Sequence, residues 1–272
     1  MAMWNTENVA GAPRIATDHV GSGPLVLFMH GIGGNRTNWH DQLGVFGEKF
    51  QAASWDARGY GGSDDYEGPL VFADFSRDVI RVLDHFKSAR AHLVGLSMGG
   101  LIAFDFHATY PERVASLTIC DSMPEMTGLS EAGRREFIRI RQEPLLNGKE
   151  PRDIAPIVAK TLVGKSAKPG SLERLVASMS ALHKDSYLKT IVATTNYARS
   201  LELEKIRVPT HIVVGDEDTL TPPALSRAMA SRIPGARLTV IAGAGHLSNI
   251  EQPEAFNAAT LAFLLEHRDR AA

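Results

Sequence analysis

Six short apolar runs punctuate the chain: PLVLFMH (24–30), QAASWD (51–56), AHLVGLS (91–97), VASLTICD (114–121), THIVVGD (210–216) and RLTVIAG (237–243). Each is short and nearly continuous in apolar character, the mark of a strand buried on both faces. Between them the period changes. Phe75, Val79, Val82, Leu83 and Phe86 recur at helical spacing, and Leu101 to Tyr110 reads as a helix stopped by Pro111, whose ring and missing N–H interrupt the ladder. Strand and helix in alternation predict an α/β fold, a mostly parallel central sheet with helices on both faces. Such sheets collect reactive groups in loops at the carboxyl ends of their strands.

The alternation stops after Asp121. Over 124–205 the pattern is helical, around EAGRREFIRIRQ, DIAPIVAKTLV, LERLVASMSALH and YLKTIVATTNYA, with NGKEP and GKSAKPG as turns. Strands resume after Pro209. The expected organisation is a core of 1–123 and 206–272 interrupted by a helical cap of 124–205. A last helix is expected over PEAFNAATLAFLLEH, with Phe256, Ala259, Leu261, Phe263 and Leu264 as its apolar positions and a frayed tail beyond it.

Composition narrows the function. With 272 residues, 44% of them hydrophobic, the chain can fill a sizeable core. Lys plus Arg number 29 against 31 Asp plus Glu, a formal charge of -2, so no basic footprint points to nucleic acid or an anionic membrane. A single cysteine, Cys120, rules out an intramolecular disulfide and offers no metal cluster, and within ASLTIC it reads as core. The first fourteen residues lack a basic start followed by an apolar stretch, and nowhere do eighteen apolar residues run together. The expectation is a soluble, cytoplasmic protein acting on small molecules. Nothing in the pattern specifies an oligomeric state.

One hydroxyl stands out against this background. In HLVGLSMGGLIAFDF (92–106), Ser97 sits between glycines where an expected strand meets an expected helix. A tight strand-to-helix turn there projects the hydroxyl off the sheet, and the following amide, of Met98, lies at a helix start where it can donate to an oxyanion. A serine needs a base, and a catalytic histidine needs an acid to fix its tautomer. Downstream, VVGDEDTLTPP ends one strand in the carboxylates Asp216, Glu217 and Asp218, and IAGAGHLSNIEQP follows the next strand with His246. Asp121, at the end of LTICD, is a rival acid.

With HGIGGNRTNW, WDARGYGGS, GLSMGG, GDEDTLTPP and GAGHLSNIEQPEAF in hand, the chain resembles, over nearly its whole length, the capped α/β-hydrolases of the esterase, lactonase and dehalogenase type. It is most similar to the 3-oxoadipate enol-lactonase-like carboxylesterases. The resemblance implies a triad of Ser97, Asp218 and His246, with the Ile32 and Met98 amides as oxyanion donors and no metal or organic cofactor. Haloalkane dehalogenases with these motifs carry an aspartate where Ser97 stands, so dehalogenation is not implied. Carbon–carbon hydrolases of ring-cleavage products commonly carry Trp or Phe after the histidine, where this chain has Leu247. That rival reading stays in play beside a low-turnover binding protein of the same fold. Trp39 and Leu247 are the candidate substrate-contacting residues, although Trp39 also fits plain core. His30 reads as a buried histidine holding the HGIGG loop, and Asp56 and Arg58 resemble a structural loop motif. The implied activity is hydrolysis of a small carboxylic ester or lactone through an acyl-enzyme.

Overall fold

A computed structural model describes residues 4–126 and 130–271. In chain order it contains β1 (Asn5–Val9), β2 (Ile15–Val20), β3 (Leu25–Met29), α1 (His40–Phe46), β4 (Gln51–Trp55), α2 (Ala73–His85), β5 (Ala91–Leu96), α3 (Met98–Thr109) and β6 (Val114–Cys120). There follow α4 (Glu131–Leu146), α5 (Pro151–Lys160), α6 (Ser171–Ser180) and α7 (Lys184–Thr195). The chain closes with β7 (Thr210–Gly215), α8 (Pro223–Arg232), β8 (Arg237–Ile241), α9 (Ser248–Glu251) and α10 (Pro253–Glu266).

The strands form one eight-stranded sheet in the order β1-β2-β4-β3-β5-β6-β7-β8. From β4 to β8 all neighbours are parallel, whereas β1 pairs with β2 and β2 with β4 in antiparallel register. Every residue of β3, β5, β6 and β7 is buried, as strands covered by helices on both faces must be. The six apolar runs of the sequence are the parallel strands β3 to β8, but the expected burial on both faces is corrected for β8, which lies at the edge of the sheet with only Ile241 buried. The antiparallel edge was not visible in the pattern. Of β1 only Val9 is buried, and β2 carries Asp18 in its interior. That carboxylate is accommodated by Arg36 Nε at 3.0 Å and His40 Nε2 at 2.8 Å rather than by apolar packing.

Helices α4 to α7 stand between β6 and β7, and their Leu145, Ile154, Val158, Leu175 and Ile191 belong to the same apolar core as the sheet. Among the described residues no helix is long and apolar enough to cross a membrane. The expected fraying after α10 is corrected: Arg268–Ala271 form a 3-10 turn with Ala271 buried. Arg268 Nε donates to the Lys49 carbonyl at 3.2 Å, and the Arg268 carbonyl lies 3.4 Å from His92 Nε2, which ties the tail to the sheet.

Candidate active site

β5 passes into α3 through Ser97, whose φ of 53° and ψ of -114° put a non-glycine residue in a sparsely populated part of backbone space. Bare neighbours make that turn possible. A Cβ on Gly95 would lie 2.2 Å from the Gly99 carbonyl oxygen, and one on Gly99 would lie 2.2 Å from the Met29 carbonyl oxygen. The Ser97 amide donates to the Cys120 carbonyl at 2.9 Å, and its own carbonyl accepts from the Ser122 hydroxyl at 2.7 Å. The elbow is thereby clamped to β6 and the residues after it.

The Ser97 hydroxyl lies 2.9 Å from His246 Nε2, and His246 Nδ1 lies 2.9 Å from Asp218 Oδ2. Asp218 comes from the loop after β7 and His246 from the loop after β8. The carboxylate is itself held by the Leu220 amide at 2.8 Å, the Thr221 amide at 2.9 Å and the Thr221 hydroxyl at 2.6 Å. The rival Asp121 makes no bond to the imidazole. It accepts instead from the Gly215 amide at 2.8 Å, the Ser248 amide at 3.1 Å and the Ser248 hydroxyl at 2.5 Å, bracing the loops on either side of the triad.

The electrostatics divide the two carboxylates. Burial raises Asp218, but the charge and hydrogen bond of His246 and the bonds from Thr221 outweigh it and hold the carboxyl at about 2. For Asp121 burial dominates and the neighbouring Asp218 adds to it, so the carboxyl is pushed up to about 7. Burial pulls the His246 imidazolium down, yet Asp218, with help from Asp121, lifts it above the ordinary histidine value. Asp218 is thus the permanently charged partner of the imidazole.

Two cavities meet at Ser97. The larger is lined by Trp39, Leu162, Leu175, His246, Leu247 and others, and the second by Met98, Leu101, Met123 and Met126 among others. Ile32 borders both. Among the described residues neither the Ile32 nor the Met98 amide donates to a protein acceptor. The Trp39 ring packs against Phe28 at 5.1 Å and Phe256 at 6.0 Å, and the residue also lines the larger cavity. Leu247 borders the same cavity.

The other singled-out residues hold the scaffold. His30 Nδ1 donates to the Gly31 carbonyl at 2.8 Å while Nε2 accepts from the Ala57 amide at 3.0 Å. Both ring nitrogens are engaged, and burial favours the neutral form. Asp56 accepts from the amides of Arg36 at 2.7 Å and Gly62 at 2.7 Å, and Arg58 pairs with Asp78 at 2.6 Å. Cys120 is buried, and burial pushes its thiol up, which removes it as a nucleophile.

Three contributors escaped the sequence reading. Thr221 sits inside a motif that was noted only for its acid. Glu251 is fully buried, and its carboxylate accepts from the Gly245 amide at 2.8 Å, the Leu247 amide at 3.0 Å and the Gly164 amide at 2.8 Å, stapling the histidine loop to the segment after α5. The His246 amide reinforces that staple by donating to the Leu162 carbonyl at 2.8 Å. Arg141, on α4, also lines the larger cavity. Its signal was present: Phe137, Arg141 and Leu145 follow one another at four-residue spacing, and all three are buried, so the arginine lies on an apolar face.

This chain belongs to the alpha/beta hydrolase fold family, whose pattern matches residues 24–253. It is 26% identical to 3-oxoadipate enol-lactonase 2 of Acinetobacter baylyi, over 97% of this chain and 98% of that protein. A carbamate hydrolase candidate, RutD of Azorhizobium caulinodans, is 29% identical over 89% of this chain and 92% of its own length. Among solved structures, a thermophilic esterase from Thermogutta terrifontis superposes with a TM-score of 0.86 at 26% identity, covering 98% of this chain and all of that one.

Proposed function

We propose that this hydrolase cleaves a small carboxylic ester or lactone through an acyl-enzyme formed on Ser97. The observation that carries the reading is the unbroken line from the Ser97 hydroxyl through His246 to Asp218, with two idle amides beside it. Ser97 Oγ attacks the carbonyl while His246 Nε2 takes its proton, and the Ile32 and Met98 amides receive the charge that develops on the carbonyl oxygen. The imidazolium, steadied by Asp218, then protonates the leaving alkoxide. In the second half His246 takes a proton from water, which attacks the acyl group and frees Ser97. The enol-lactonase and esterase relatives support this reaction class, and the four helices between β6 and β7 serve as the cap over the pocket.

The test is a panel of p-nitrophenyl esters of increasing acyl length beside small lactones, carbamates and ring-cleavage diketones. The cavities at Ser97 are narrow and walled by buried apolar side chains, so turnover is expected to peak at short acyl chains and small lactones, with no step in rate at a lipid interface. A maximum at long chains with interfacial activation would point to a lipase. Activity confined to diketones would favour carbon–carbon cleavage.

Acid pH supplies a second check. Catalysis needs neutral His246, so kcat/KM is expected to fall as pH drops through the histidine's pKa, with an acid-limb midpoint above the ~6.5 of a free imidazole. Asp121 helps to lift that pKa, while Arg141 opposes it. Asp121→Asn should therefore move the midpoint to lower pH, and a midpoint that stayed put or rose would contradict the electrostatic reading.

A further inference from the structure

Arg141 is an unusual cation. Helix α4 carries Arg135 and Arg139 on its exposed side, where they pair with Glu131 and Glu136. Arg141, on the opposite side, is only 2% exposed and has no carboxylate partner among the described residues. Its guanidinium carbon stands 3.8 Å from the centre of the Phe137 ring, one Nη donates to the Phe137 carbonyl at 3.2 Å, and Nε has no partner among the described residues. The neighbouring Tyr187 does not neutralise it, since burial pushes that phenol up and keeps it uncharged. A guanidinium stays protonated in proteins, so a full positive charge is held out of water with part of its donor fork unused.

The place where this happens is the larger cavity at Ser97. No Asp or Glu lines it among the described residues, and Arg141 is its one permanently charged side chain. Among the described residues the second cavity has no charged lining. The two chambers that meet at the nucleophile therefore differ in kind, one cationic and one neutral and rich in methionine.

We propose that Arg141 receives a carboxylate of the substrate, so that the ester or lactone cleaved at Ser97 belongs to a molecule with an acidic group in the Arg141 chamber and an uncharged half in the methionine chamber. The proposal rests on the Ser97 reading and names its substrate class. A planar carboxylate matches the guanidinium fork, and one cation balances a monoanion but not a phosphate dianion.

The experiment compares hydrolysis of monomethyl glutarate with that of dimethyl glutarate, followed by acid release, a pair that sets one free carboxylate against its methyl ester. Wild-type protein is expected to prefer the acid at least about 10-fold in kcat/KM, chiefly through KM, as a charge-assisted hydrogen bond would supply. In Arg141→Met the ratio should collapse to about one, and Arg141→Lys should restore part of it. Equal rates in the wild type, or an unchanged ratio in Arg141→Met, would overturn the proposal. Should Arg141→Met fail to fold, the wild-type and Arg141→Lys ratios decide. A binding arm separates the two readings: Ser97→Ala protein is titrated with monomethyl glutarate and with dimethyl glutarate. If no ester is turned over yet the acid binds and loses its advantage in Ser97→Ala/Arg141→Met, the hydrolase reading fails and the anion site stands. If esters are turned over but the acid gains nothing in rate or binding, the anion site fails alone.

Discussion

Ser97→Ala is expected to lower turnover of a short-chain aryl ester on the order of 10⁶-fold while leaving the fold intact, because a serine and its base act as a unit and losing either forfeits most of the acceleration. The residue of activity should come from the Ile32 and Met98 amides and from binding in the two chambers. A serine-directed phosphonate should add a single adduct to the wild-type protein, on Ser97, and none to the variant. Mass spectrometry of the labelled peptide checks the site. Labelling of another residue, or near-normal turnover in Ser97→Ala, would sink the acyl-enzyme mechanism. Alanine is the right probe, for the elbow needs a small side chain and its bonds to Cys120 and Ser122 are made by the backbone of residue 97.

Asp218→Asn should cost about 10⁴-fold in kcat, the loss expected when an amide beside Nδ1 favours the wrong tautomer and cannot steady the imidazolium. Its effect should far exceed that of Asp121→Asn. The geometry gives the reason: Asp218 Oδ2 is 2.9 Å from the imidazole, whereas Asp121 spends its oxygens on Gly215 and Ser248. Asp121→Asn should act mainly on stability, since one of the groups it faces would lose its acceptor, and on the acid limb described above. Circular dichroism with single-turnover kinetics on both variants separates folding from chemistry. If Asp121→Asn were the more damaging to kcat, the acid would have to be reassigned.

The sheet's parallel body could be read from the chain because burial on both faces leaves no room for polar alternation, and β3, β5, β6 and β7 show this as unbroken apolar runs. β1 and β2 could not, since an antiparallel edge tolerates water on one side and Asp18 finds Arg36 and His40 across the fold. Ser97 was legible through its glycines, which the turn requires. Choosing Asp218 over Asp121 was different in kind: both follow apolar strands, and only the resemblance favoured one. Arg141 was hidden by company, four arginines sharing α4, with helical phase the sole cue that one of them faces inward. Glu251 was hidden because its partners are three backbone amides, which leave no trace in side-chain identity.

The separation of 149 positions between Ser97 and His246 along the chain bears on biosynthesis. A ribosome delivers the amino-terminal segments first, and a nascent chain can begin to order before its end is made. Emerging up to Pro209, it would carry the glycine elbow and helices α4 to α7, yet neither β7 nor β8 with Asp218 and His246 behind them. A lone hydroxyl is a feeble nucleophile. On the proposed mechanism the unfinished polypeptide lacks the groups that would activate Ser97, and the onset of hydrolysis would mark the moment when β7 and β8 join the sheet.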